Sequence, residues 1–231
     1  MDAIGQGIAE AFRLILTGDP EIFEIVGLSL YVSCFSVLIS TCIGIPLGIL
    51  LGICKFRGKG IVIRIVYTFM SLPPVIAGLT IFLILMRRGP LGRFQLNYTV
   101  TAMILAQICL VTPIIIGLTY NIVKEKASIV NRLGITLGAD KFSGMKLLIY
   151  EMRVGLTTAV VSGFGRAISE VGAVTIVGGN IKGQTRVMTT YITELKGMGN
   201  YERAIAVGII LLLISFAVNA LLYHFQERES R

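Results

Sequence analysis

The segment VGLSLYVSCFSVLISTCIGIPLGILLGIC, Val26–Cys54, runs for 29 residues without a charge. A helix rises about 1.5 Å per residue, so about 20 apolar residues cross a hydrocarbon core of about 30 Å. This run is long enough to span a bilayer with residues to spare. Three further charge-free windows follow at Ile65–Met86, Thr99–Leu118 and Ala204–Tyr223. A fifth, Val154–Val177, is apolar and glycine-rich but carries Arg166 and Glu170. Charges at that depth are costly in lipid, so this span is expected to face protein or water. The expectation is an all-α integral membrane protein, one domain over residues 1–231 with five transmembrane helices.

Composition points the same way. Hydrophobic residues make up 55% of the chain and charged ones 15%, and the mean hydropathy is +0.82. Soluble domains carry about 25% charge, so soluble enzymes, disordered chains and disulfide scaffolds are excluded. The net charge of +8 comes from 21 Lys and Arg against 13 Asp and Glu, set in short blocks between the apolar runs. Such blocks set membrane topology and do not form a nucleic-acid stripe. Cys34, Cys42, Cys54 and Cys109 lie in or beside apolar runs without C-x-x-C spacing and read as small packing residues.

With five spans, one set of connecting and terminal segments holds 12 Lys and Arg and the other holds 8. The block Lys55, Arg57, Lys59 and Arg64 directly follows the first span, where orientation is usually decided. The N-terminus is therefore expected outside and the C-terminus inside. Ile4, Ile8, Phe12 and Leu16 recur at helical spacing before Gly18-Asp19-Pro20, so residues 1–19 are expected to form a helix flat on the outer surface. That segment lacks the basic start and continuous apolar run of a cleavable signal peptide.

Gly44, Gly48 and Gly52 share one face of the first span and would let another helix approach closely. Pro46, Pro73-Pro74 and Pro113 each remove a backbone donor and are expected to bend or break their helices, which suits a pathway. Between the third and fourth spans, residues 121–153 form an inner segment too long for a simple connector. In it Ile129, Val130, Leu133, Leu137, Phe142, Met145 and Leu148 recur at mostly helical intervals, broken by Gly134 and Gly138. Two short amphipathic helices meeting near Gly138 are expected.

Here the chain resembles the type I importer permeases of ABC transporters. Their loop signature is Glu-Ala-Ala, three residues, Gly, nine residues, then Ile-x-Leu-Pro. Aligning the signature glycine with Gly138 puts Leu148 and Tyr150 at the apolar positions, Arg132, Leu133 and Gly134 at Glu-Ala-Ala, and Glu151 at the proline. Ser71-Leu72-Pro73-Pro74-Val75 is similar to the Leu-Pro-Pro-Val segment of molybdate, tungstate and sulfate permeases. Gly165-Arg166-Ala167-Ile168-Ser169-Glu170-Val171-Gly172-Ala173, followed by Val177-Gly178-Gly179-Asn180 through Thr190, resembles the tungstate-type members more closely still.

The resemblance implies a pore of two copies of the chain, fed with tungstate by an extracytoplasmic binding protein. It also implies two ATPase subunits, holding ATP and Mg, that grip the cytoplasmic loop. The coupling residues would be Leu133, Gly134, Leu137, Gly138, Ala139, Asp140 and Lys141. This chain shows no nucleotide loop of its own: Gly58-Lys59 is followed by Gly60, and Ile53 stands where the first glycine belongs. No cofactor is expected in the chain itself, and its role is expected to be transport, not catalysis.

Arg166 and Glu170 are four residues apart, on one face of a continuous helix, and can neutralise each other. The pair fits either a buried bridge that orients helices or, with Ser169 and Gly172, part of the pathway or its gate. Asn180 to Arg186, with Lys182 and Arg186, is expected at the outer end, as an anion or binding-protein contact or as a plain solvated loop. Molybdate, sulfate or another small oxyanion is the alternative substrate. A membrane enzyme would need paired acids or a nucleophile with its base inside the spans, and a passive channel or secondary transporter has no use for an apolar docking loop.

Overall fold

The computed structural model describes residues 2–136 and 141–230, and among them all regular structure is helical. The elements are α1 (Asp2–Thr17), α2 (Pro20–Ile53), α3 (Lys59–Met70), α4 (Pro74–Leu85), α5 (Val100–Thr136), α6 (Lys141–Ile168), α7 (Gly172–Gly178), α8 (Met188–Gly197) and α9 (Tyr201–Ser230). Four helices among the described residues are long and apolar enough to cross a membrane, five spans if the bent pair α3–α4 counts as one.

Local chemistry sets the ends of α2. Gly18 takes a left-handed φ of +64° that ends α1, and the Asp19 carboxylate then accepts from the Glu21 and Ile22 amides at 3.0 and 3.4 Å. Proline at the first helical position is pre-set for the start. At the other end Lys59 Nζ donates to the Gly52 and Cys54 carbonyls, at 3.2 and 3.0 Å, which the finished helix leaves open. Pro46 and Pro113 both sit inside continuous helices. The expected break occurs only at Pro73-Pro74, where two donors are missing in succession and Leu72, before a proline, is pushed out of helical geometry. The expected second span is thus two half-length helices, α3 and α4, bent by 99°.

The fourth span is also interrupted. It was expected to run unbroken to Val177, but α6 stops at Ile168 and a separate seven-residue α7 begins at Gly172. No proline marks this break; the Glu170 side chain turns back onto the first turn of α7 instead.

Small residues decide which faces meet. Gly44 and Gly48 of α2 lie against Ile115 and Thr119 of α5, where an added Cβ would come within 2.8 and 2.5 Å of side-chain atoms, and Gly52 lies as tightly against Val123. Lipid tails are as apolar as leucine, so close backbone approach, not hydrophobicity, holds such helices together. Gly78 of α4 likewise touches Ala173 of α7, and Val75 touches Gly172, so the two half-helices run side by side from breaks at the same level. Tyr98 N donates to the Val177 carbonyl at 2.8 Å and closes their far ends.

In α1 the expected stripe of Ile4, Ile8, Phe12 and Leu16 is exposed. On its other face the helix buries Gly7, Ala11 and Leu14 against α2, α8 and α9, in a cluster that includes Ile22, Met188, Tyr191 and Val207. On the opposite side of the molecule α5 continues to Thr136, 37 residues or about 55 Å. Residues 121–136 and 141–153 are therefore continuations of α5 and α6, where two separate short helices were expected. Lys126 Nζ ties these arms together, 3.0 Å from Glu151 Oε1 and 3.1 Å from the Glu151 carbonyl.

Candidate functional site

The break between α6 and α7 is held by hydrogen bonds from α5 and α8, which α2 in turn holds in place. Arg166 Nη1 lies 2.7 Å from Glu170 Oε2, and the second carboxylate oxygen accepts from the Ala173 amide at 3.0 Å. The pair bridges the last turn of α6 to the break itself and is not a pair along one helix, as the spacing suggested. The Glu170 side chain is 2% exposed and that of Arg166 is 32% exposed, so the bridge has one sealed end and one end in contact with the surroundings. A carboxylate buried at this depth needs such partners, because neither lipid nor apolar side chains replace its hydration.

The backbone of the break is held as well. Ala167 O receives the Glu170 amide at 3.2 Å, a tightened turn, and also Gln107 Nε2 from α5 at 3.0 Å. Gln107 Oε1 in turn accepts from Ser36 of α2 at 2.6 Å. Thr189 of α8 donates its hydroxyl to the Glu170 carbonyl at 2.8 Å. Ser29 of α2 accepts the Met188 amide at 2.8 Å and so fixes the start of α8 beside it. A cavity of only about 10 Å³, room for about one water, lies among these groups, lined in part by Ser29, Ser33, Gln107, Glu170 and Thr189.

Of the expected pathway residues, Arg166, Ser169, Glu170 and Gly172 all lie at this break. Ser169 is exposed and its hydroxyl returns to the Gly165 carbonyl at 2.8 Å. Gln107 was not singled out by the sequence reading, although it is the one amide side chain between Thr99 and Leu118. Of the expected coupling residues, Leu133 and Gly134 lie in the final turn of α5 and Lys141 opens α6. Leu137, Gly138, Ala139 and Asp140 lie outside the described residues.

Beyond α7, the segment from Asn180 to Arg186 is a folded turn already neutralised by acids. Lys182 pairs with Glu21 at 2.9 Å, and Arg186 pairs with Glu194 at 2.8 Å and with Glu21 at 3.5 Å. Arg203 of α9 joins Asp19 at 3.3 Å and Glu21 at 3.5 Å. The Tyr191 ring lies under both guanidinium groups, and burial pushes its phenol above the ordinary value. Arg186 is only 11% exposed, so little of it is on offer to a passing anion.

The α4–α5 connection differs. Arg87, Arg88 and Arg93 are exposed and have no ion-pair partner among the described residues, and no Asp or Glu occurs from Ile25 to Lys124. Gly89 and Gly92 wind this connection tightly onto the end of α4, through Gly89 N to Met86 O at 2.7 Å and Leu91 N to Ile84 O at 3.0 Å. Leu91 and Phe94 are exposed beside the arginines, with Arg93 over the Phe94 ring.

Residues 44–231 match the family described as binding-protein-dependent transport system inner membrane component. The tungstate uptake system permease protein TupB of Peptoclostridium acidaminophilum is 50% identical, over 98% of this chain and all of that one. A probable anion ABC transporter permease protein of Haloferax volcanii is 39% identical, over 89% of this chain and 90% of the relative. TupB of Campylobacter jejuni is 34% identical, over 95% and 92%. With apolar helices enough for five spans, two of its half-helices starting side by side, and a family match over more than three quarters of its length, the chain belongs to the inner-membrane permease subunits of binding-protein-dependent ABC importers.

Proposed function

We propose that this chain is the transmembrane subunit of a tungstate importer, working as two copies with an ABC ATPase that binds ATP and Mg and with an extracytoplasmic binding protein. The observation that carries the reading is the end-to-end 50% identity with a tungstate uptake permease. The N-terminus lies outside and the C-terminus in the cytoplasm of the cell's inner membrane. The ATPase grips residues 133–141, between the arms α5 and α6 in the chain. The binding protein meets the opposite face, where Arg87, Arg88 and Arg93 have no acidic neighbour.

Arg166, Ser169, Glu170 and Gly172 form the gate. Glu170 places a carboxylate at the first turn of α7, where an incoming anion would otherwise find backbone donors. At an effective dielectric near 20, a dianion about 4 Å from that carboxylate is repelled by on the order of 8 kcal/mol before Arg166 offsets part of it. In this arrangement the break is closed to oxyanions. Passage requires the Arg166–Glu170 bridge to rearrange, which the ATPase drives through the arms. Arg166 is the exposed end of the bridge, which favours a gate over a purely structural pair.

The test is reconstitution of the permease with its ATPase in proteoliposomes, with the loaded binding protein inside the lumen or outside according to orientation. ATP-dependent accumulation of tungstate, with sulfate competing only at far higher concentration, is the expected result. Accumulation without the ATPase, or preference for sulfate over tungstate, overturns the assignment.

A further inference from the structure

In an unbroken helix the Ala167 carbonyl would accept from the amide of residue 171, four residues on. The break diverts that bond, leaving a 3.2 Å contact from Glu170 N and a carbonyl with spare capacity. Gln107 fills it from another helix, at 3.0 Å, and is itself fixed by Ser36. The Glu170 carbonyl is taken up in the same way by Thr189. Gln107 is 3% exposed and Thr189 is 7% exposed, in surroundings that mix Val32, Ala167, Ile168 and Val187 with Ser29, Ser33 and Glu170. A leucine at 107 would cost nothing in desolvation, whereas a buried amide is tolerated only where it is bonded. If α6 and α7 joined into one helix, both carbonyls would gain a helical amide and turn along the helix axis, and the turn that aims them at Gln107 and Thr189 would be lost. The two side chains therefore stabilise the broken conformer specifically.

We infer that Gln107, together with Thr189, is a positioning residue that holds the α6–α7 break open and so keeps Glu170 bridged across it. Break and continuous helix are the two states of one element, and these bonds bias it toward the break. The inference rests on the permease reading above and adds the residues that set the resting state of its gate. Neither side chain is asked to touch the anion.

The experiment uses the assembled complex with its ATPase and binding protein, comparing wild type with Gln107→Leu, Thr189→Val, Thr189→Ser and Ser36→Ala. Tungstate uptake and ATP hydrolysis are measured together, with the amount of assembled complex taken from size-exclusion chromatography. Loss of a buried bond that leaves its carbonyl short of a partner is expected to lower tungstate carried per ATP about tenfold in Gln107→Leu and Thr189→Val. The concentration of loaded binding protein giving half-maximal uptake should stay within about twofold, because the break lies away from the face it meets. Thr189→Ser keeps the hydroxyl and should restore coupling, and Ser36→Ala, which keeps the Gln107–Ala167 bond but frees the Gln107 oxygen, should fall between wild type and Gln107→Leu.

Thr189→Val is isosteric and carries the test if Gln107→Leu does not assemble. Normal coupling in Thr189→Val overturns the inference, as does an equal loss in Thr189→Ser. A wild-type complex that moves no tungstate would overturn the functional reading instead.

Discussion

Lys182, Arg186 and Arg203 share Asp19, Glu21 and Glu194, while Arg87, Arg88 and Arg93, on the connection after α4, have no acidic partner among the described residues. Both groups lie between spans and contain three cations, yet they do different work. The first staples the start of α2 to the turn after α7, to α8 and to α9, four pieces that lipid-facing packing alone would leave adjustable. The second is a rigid, cationic and partly apolar surface with unspent charge. Arg166 belongs with the first group in being paired, and among the described residues it is the one cation paired to a carboxylate sealed from solvent. How deeply a cation's partner is buried therefore ranks what its loss should cost.

The largest effect is expected at the sealed pair. Glu170→Gln leaves Arg166 without a counter-charge and removes the carboxylate that bridges to the Ala173 amide. Breaking a buried pair from one side costs about 3 kcal/mol or more, which for a chain of this size is a fall of roughly 6–10 °C in the melting temperature of the purified complex. Tungstate uptake should fall with it. A complex with unaltered melting temperature and coupled transport would show that the bridge neither supports nor gates the break.

A smaller loss is expected at the outer staple. Glu21 meets Lys182, Arg186 and Arg203 at once, so Glu21→Gln unbalances three cations together. All are partly solvated, so about 1–2 kcal/mol is expected, shrinking as salt rises. Thermal melts of the complex at low and high ionic strength check this, and a salt-independent loss would mean that the glutamate acts through packing. Smaller again is Lys126→Met, which removes an ion pair whose side chains are 40% and 52% exposed; its cost should stay below about 0.5 kcal/mol in the same melts.

These ranks could not be read from the sequence, because partners such as Glu21 and Arg203 are far apart along the chain. The sequence did disclose the spans, since an uncharged run has one physical explanation. It disclosed the bend at Pro73-Pro74, because missing donors are visible in the residues themselves. It did not disclose the break after Ile168, where the cause is a glutamate turning back onto the next helix; a four-residue spacing looked like a helical pair. It showed the apolar stripe of α1 but not the small residues on which that helix packs. Within a bilayer the large residues face outward and small ones such as Gly7 and Ala11 meet the neighbouring helix, which inverts the rule learned from soluble helices. The ends of α5 and α6 around residues 121–153 read as separate helices because amphipathic periodicity does not distinguish a new helix from the continuation of an old one.

The unpaired arginines give the sharpest contrast, because their removal should not disturb the fold. Replacing Arg87, Arg88 and Arg93 together by Gln breaks no ion pair among the described residues, and the tight turn around Gly89 and Gly92 is held by backbone bonds alone. The melting temperature should stay within about 2 °C, as for surface changes generally. The charges are instead available to a partner, and the neighbouring Leu91 and Phe94 suit a protein face better than a free dianion, since arginine and aromatic residues concentrate at protein interfaces. The triple variant should therefore raise the concentration of loaded binding protein needed for half-maximal uptake, by about tenfold at low salt and less at high salt, with the maximal rate little changed. An equal loss of maximal rate with no shift in that concentration would place these arginines on the anion's route. No change at all would mean that the binding protein docks elsewhere, and the distinction between spent and unspent charge would lose its functional meaning.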